Sequence, residues 1–128
     1  MEASGTTQAR QIARAVSDSH RERTGRALDS VTVVQASATV VATLHGALAP
    51  AERALTHSPR VAGLLREFHR ALFHCAGGPL RREIERITGA KVREAVAEVQ
   101  GTTGVVVQLF ALDGDLPTGT WSGFPPAC

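Results

Sequence analysis

The chain has 128 residues, 43% of them hydrophobic and 20% charged, with a formal net charge of +2. That length sets the expectation of one domain with one core, and so small a charge gives no argument for nucleic-acid binding by itself, so a nucleic-acid partner is not expected. Aromatic residues reach only 4% and Tyr is absent, so the core has to be built from Val, Leu, Ile and Ala. All basic residues but Lys91 are Arg. Cysteines stand only at 75 and 128, a spacing that gives no disulfide framework and fits a reducing compartment. The start, MEASGTTQAR, has no apolar signal core, and no apolar run approaches the ~20 residues of a membrane span. The expectation is a soluble cytoplasmic chain without a transmembrane segment.

Residues Thr7 to Arg23 have helical periodicity. Ala9, Ile12, Ala13 and Val16 recur at three and four, while Arg10, Arg14 and Arg21 project elsewhere. Gly25 ends the helix. The run SVTVVQASATVVATLHG is rich in β-branched residues and reads as two strands, Val31–Gln35 and Ala38–His45, joined tightly at Ala36-Ser37. Pro50 suits the first turn of a short helix to about Thr56. Ser58 and Pro59 then supply an N-cap and a first helical residue for a helix reaching about Ala76.

In that helix Val61, Leu64, Leu65, Phe68, Leu72 and Cys75 share one arc, which predicts a core-facing stripe. Gly77-Gly78-Pro79 interrupts. A further helix from Pro79 to Thr88 places Leu80, Ile84 and Ile87 on one side, with Gly89 at its C-terminal stop. Val92–Val99 and Val105–Leu112 read as a hairpin closed by QGTTG. The segment DGDLPTGTWSGFPPAC, residues 113–128, has neither period and reads as a mobile tail, with Trp121 and Phe124 touching the body and Cys128 in the tail.

The expected fold is α+β with two layers: a four-stranded antiparallel sheet made of two hairpins, helices on one face, in the order α-β-β-α-α-α-β-β over residues 1–112. Val105, Val107 and Leu109 lie on one face of the last strand, and Val106, Phe110 and Leu112 on the other. A sheet with a solvated back alternates more cleanly, so a homodimer through the sheet face is expected.

The stretch FHRALFHC, residues 68–75, concentrates two histidines and a cysteine. Ideal helical geometry turns His69 and His74 about 140° apart and puts Cys75 in the apolar arc. No paired cysteines precede H-x₄-H. The reading is therefore a structural cysteine, with no catalytic residue, no metal and no cofactor. Loop-proximal His45, Glu52 and His57, with His69, form a candidate binding group. Arg10, Arg14, Arg21 and Arg26 give a basic N-terminal surface suited to an anionic partner or membrane face. No P-loop, G-x-S-x-G, H-E-x-x-H or paired C-x-x-C is present.

Several pieces in sequence carry a family likeness: TGR at Thr24–Arg26, then LHGALAPAERAL, LLREFHRAL, IERITGAKVREAVAEV and VVVQLFAL. In this order the chain resembles the MpsC-type domain, named for the C component of a sodium-translocating, membrane-potential-generating system, over about Gln8 to Leu112. Its most specific pieces are the helix-to-strand junction of Glu85, Thr88, Gly89, Lys91 and Val92, and the PAE of Pro50–Glu52. The chain departs from the pattern at Ala49, at Ala27-Leu28 and at AGGP, where the family's long helix runs on. Gly25, Pro50 and Gly89 have folding roles, and the resemblance brings no catalytic residue.

What it implies is a non-catalytic accessory or regulatory partner of a membrane cation-transport system, cytoplasmic or peripheral at the inner membrane face. The alternatives are a small-molecule or anion sensor with a pocket between helices and sheet, and a metal or thiol enzyme using His69, His74 and Cys75.

Overall fold

One unbroken strand runs where two were expected. The computed structural model describes residues 2–126, with side chains from residue 5, and Cys128 lies outside the described residues. Its elements are α1 (Glu2–Thr24), β1 (Ser30–His45), α2 (Pro50–Leu55), α3 (Pro59–Ala76), α4 (Gly78–Thr88), β2 (Val92–Gln100) and β3 (Val105–Gly123). The three strands form a single antiparallel sheet in the order β1-β3-β2, so the α+β class holds with three strands rather than four.

The break at Ala36-Ser37 is a bulge, not a turn. Ser37 takes φ 52° and the register against β3 shifts on either side of it. An irregularity of this kind changes which face a side chain meets. Val31, Val33 and Gln35 before it, and Val40, Ala42 and Leu44 after it, are all buried, so odd and even positions end on the same face. The polar Ser37 with β-branched runs on both sides looks like a turn in sequence, yet the bulge keeps all sixteen residues in one strand.

Residues 113–123, read above as a mobile tail, continue β3. Gly119 to Gly123 pair with Gln35 to Val31, and Leu116 sits opposite Ser37 in the core. Gln35, fully buried, fixes the irregular part: its Nε2 donates to Gln8 Oε1 on α1 and to the Pro117 carbonyl, both at 2.9 Å. The predicted hairpin of β2 and β3 is present, joined through Gly101–Gly104.

The helices cover one face of this sheet. Ala9, Ile12, Ala13 and Val16 of α1 are wholly buried, meeting Val106, Phe110 and Leu112 of β3 in one core with Leu80 and Ile84 of α4. Each such branched side chain taken from water contributes about 1.5–3 kcal/mol. At the start of α1 the approach is closest: a Cβ on Gly5 would run into the Thr118 carbonyl, and one on Gly119 into the Gly5 backbone.

The helix-to-strand junction is wired throughout. Gly89 adopts φ 74° and its N–H meets the Glu85 carbonyl at 2.8 Å, while Glu85 Oε2 accepts the Val92 N–H at 2.8 Å. Lys91 and Asp113 close it from the β3 side, each backbone N–H donating to the other residue at 3.0 Å. At AGGP the long helix splits, α3 ending at Ala76 and α4 starting at Gly78.

The apolar arc of α3 departs most from expectation. Its buried residues are His69 and Phe73, whereas Leu64 is 61% exposed, Phe68 58%, and Cys75 is exposed as well. The stripe exists, but its centre faces outward.

Because α1 touches the sheet backbone at glycine, Gly119→Ala is expected to lower stability by about 1–3 kcal/mol through overpacking. Urea unfolding of the variant against the parent checks this.

Candidate functional site

Beneath α3 a polar group is enclosed on the covered face of the sheet. α2 begins with Ala49 as N-cap and Pro50 in its first turn, which places Glu52 one turn in. The carboxylate of Glu52 accepts the Ala49 N–H through Oε1 and the His69 Nε2–H through Oε2, each at 2.9 Å. The first bond caps the helix from within, and the second ties α2 to α3. Burial pulls the Glu52 pKa upward, but the Ala49 N–H, the His69 bond and the Arg26 charge together hold it below the ordinary carboxylate value.

His20 of α1 faces this pair from the other side, at 4% exposure. Burial pushes its pKa down to about 4, and the charges of Arg23, His69 and Arg26 act in the same direction against Glu52. Neutral at physiological pH, its Nε2 finds no protein partner, and neither does Gln108 Oε1 on β3. His20, His69, Gln108 and Phe73 line a cavity of about 10 Å³, the room of one water molecule. Phe73 closes its side, with its ring 6.0 Å from Phe110 and the Arg23 guanidinium 6.0 Å above it.

The predicted residues divide accordingly. Glu52 and His69 are in direct contact, and Arg26 is half-buried within reach of the Glu52 charge, its Nη1 without a partner. Arg10, Arg14 and Arg21 lie exposed on α1, with Arg14 3.9 Å from Asp18. His45 closes β1 half-buried, its carbonyl accepting the Asp29 N–H at 2.9 Å. His57 is exposed between α2 and α3.

His69 points inward while His74 and Cys75 face solvent, so the three do not converge. Among the described residues no three His, Cys, Asp or Glu side chains come together as metal ligands would. An open groove of about 380 Å³ between α1 and α4 is lined by Arg14, Asp18, Glu22, Arg23, Glu83 and Arg86. Two ion pairs, Arg14–Asp18 and Arg86–Glu83, take up four of those charges.

His20 and Gln108 are members that sequence reasoning missed. His20 continues the α1 stripe of Ala9, Ala13 and Val16 at helical spacing, and Gln108 interrupts the core-face series Val106, Phe110, Leu112. A polar residue on an otherwise apolar periodic face was the available signal.

The profile of a family described as Na+-translocating membrane potential-generating system (MpsC) matches residues 6–114. The chain belongs to the MpsC family. No curated protein and no solved structure matches it. The matched span contains the whole Glu52–His69–His20 group and ends inside β3, nine residues before the strand does. Among the described residues of this MpsC chain no helix is long and apolar enough to cross a membrane.

The depressed His20 pKa makes stability depend on pH. Below about 6.5 the unfolded chain takes up a proton at His20 that the folded chain refuses until about 4, so stability falls across that window as pH drops, by up to about 3 kcal/mol. Glu52, held low in the fold, adds a loss at still more acid pH. In His20→Gln the stability profile from urea unfolding is expected to flatten between pH 6.5 and 4.5.

Proposed function

We propose that this protein is a non-catalytic accessory component of a membrane cation-transport system, acting through its surfaces at the inner membrane face. The observation that carries the reading is the tight packing of its most concentrated polar group: the space among His20, His69 and Gln108 has the room of about one water. Glu52 and His69 then serve as a clasp between α2 and α3. Family membership supplies the transport context.

Two surfaces suit such a role. Exposed Arg10, Arg14 and Arg21 on α1 offer positive charge to anionic lipid or to an acidic partner. The outer face of the sheet, where Val41, Leu109 and Val96 stand side by side across all three strands, is covered by no helix among the described residues. The sensor reading has a site of about 380 Å³ in the groove between α1 and α4.

Affinity purification of the tagged chain from detergent-solubilised membranes of its native cell tests the proposal. A membrane cation transporter is expected in the eluate at near-stoichiometric amount, reduced when Arg10, Arg14 and Arg21 are changed together to Gln, and retained in Glu52→Gln at temperatures where that variant is folded. Recovery with no membrane component overturns the reading. A melting-temperature rise with one member of a metabolite panel, corresponding to about 2.7 kcal/mol at 100 times the dissociation constant, would favour the sensor instead.

A further inference from the structure

The outward stripe of α3 has a spacing that the clasp beneath it does not explain. Val61, Leu64, Phe68, Ala71 and Cys75 alternate steps of three and four, the spacing of a coiled-coil seam, along a helix about 27 Å long. Val61 is half-buried; the other four are exposed, and Leu64 at 61% and Phe68 at 58% exceed every apolar residue of the outer sheet face, where Val34 reaches 43% and Val96 38%. His69 and Phe73 anchor the helix from a direction more than 100° away, so the seam is free along its length.

We infer that α3 pairs antiparallel with α3 of a second copy, the two-fold axis passing between residues 69 and 70. In that register Phe68 faces the small Ala71 of the other copy, and Leu64 faces Cys75. Large side chains meet small ones in both kinds of layer, and Val61 falls beyond them, opposite Gly78 at the start of α4 of the other copy. Leu65 lies beside Leu72 of the other copy along one flank. Along the other, Glu67, whose side chain is 72% exposed, meets the exposed imidazole of His74.

Competing arrangements of the same helix are worse. Sliding by one heptad stacks Leu64 on Phe68 and brings Arg60 against His74. A parallel pair sets Phe68 on Phe68 and faces Glu67 with Leu72. The sequence of α3 is thus self-complementary in size for one orientation, with the Glu67 carboxylate, paired to Arg70 in its own helix, opposite an imidazole donor on the flank, as an isologous interface requires. The interface goes beyond the accessory role and stands without it, since it needs only the purified chain.

The test uses light scattering and thiol cross-linking on the purified full chain carrying Cys128→Ser, which leaves Cys75 as the native thiol. The parent is expected to be a dimer at micromolar concentration, and Phe68→Glu to weaken dimerisation about 30-fold or more with an unchanged circular-dichroism spectrum. Leu64→Cys, opposite Cys75 of the other copy, is expected to give a covalent dimer on mild oxidation. Arg82→Cys, an exposed thiol on α4 away from the seam, is expected to give none. A monomeric parent overturns the inference, as does cross-linking of Leu64→Cys no greater than that of Arg82→Cys. A dimer that survives Phe68→Glu and dissociates on Val96→Glu overturns it in favour of the outer sheet face.

Discussion

α3 sits on the body of the protein through two buried residues, one polar and one aromatic, with the exposed Arg70–Glu98 ion pair to β2 beside them. His69 donates a hydrogen bond to Glu52, and Phe73 fits between Arg23 and Phe110. Because so little of the helix is buried, the position of its apolar stripe follows from those two residues, and with it the surface offered to other molecules. Replacing either anchor leaves a buried group without its partner, and a buried polar or charged group so stranded is expensive. The acid-labile His20 lies against the same pair, so the three elements that meet there share one electrostatic environment.

The enclosed histidines differ in kind. His69 has a carboxylate to donate to, whereas His20 has neither a bond at Nε2 nor a nearby acid strong enough to offset burial and the surrounding cations. Two imidazoles on one cavity are thereby driven to different roles by neighbours rather than by chemistry of their own. The Glu52 carboxylate is useful in two directions at once, ending α2 properly and holding α3 down, and this accounts for its retention of charge despite burial.

Local signals were legible in the sequence where local physics decides. Pro50, the Ser58-Pro59 helix start, Gly89 and the QGTTG hairpin all stand where backbone conformation demanded them. Long-range pairing was not legible. Ser37 looked like a turn because a bulge and a turn use the same small polar residues, and only the partner strand distinguishes them. Residues 113–123 lack alternation because they owe their strand form to backbone pairing with β1. For α3, periodicity located the stripe and gave no sign of its direction; the inward residues are a histidine and a phenylalanine off the arc. The same blindness hid His20 and Gln108, polar residues at core positions. Of the candidate site, the Glu52–His69 contact joins two residues that had been singled out, and its depth and its third member came from the fold.

The pairing of β1 with β3 has a consequence for how the chain acquires its structure. Val31 bonds across to Gly123, about 90 residues away, and β3 occupies the middle of the sheet. Ribosomes release β1 and all four helices before the strand that joins the two edges exists. The apolar side of α1 therefore waits uncovered through most of translation, and closure of the sheet is a late event with a large loop entropy to overcome. Such a nascent chain is a natural client for chaperones, and its yield in cells rests as much on protection during that interval as on the stability of the finished fold.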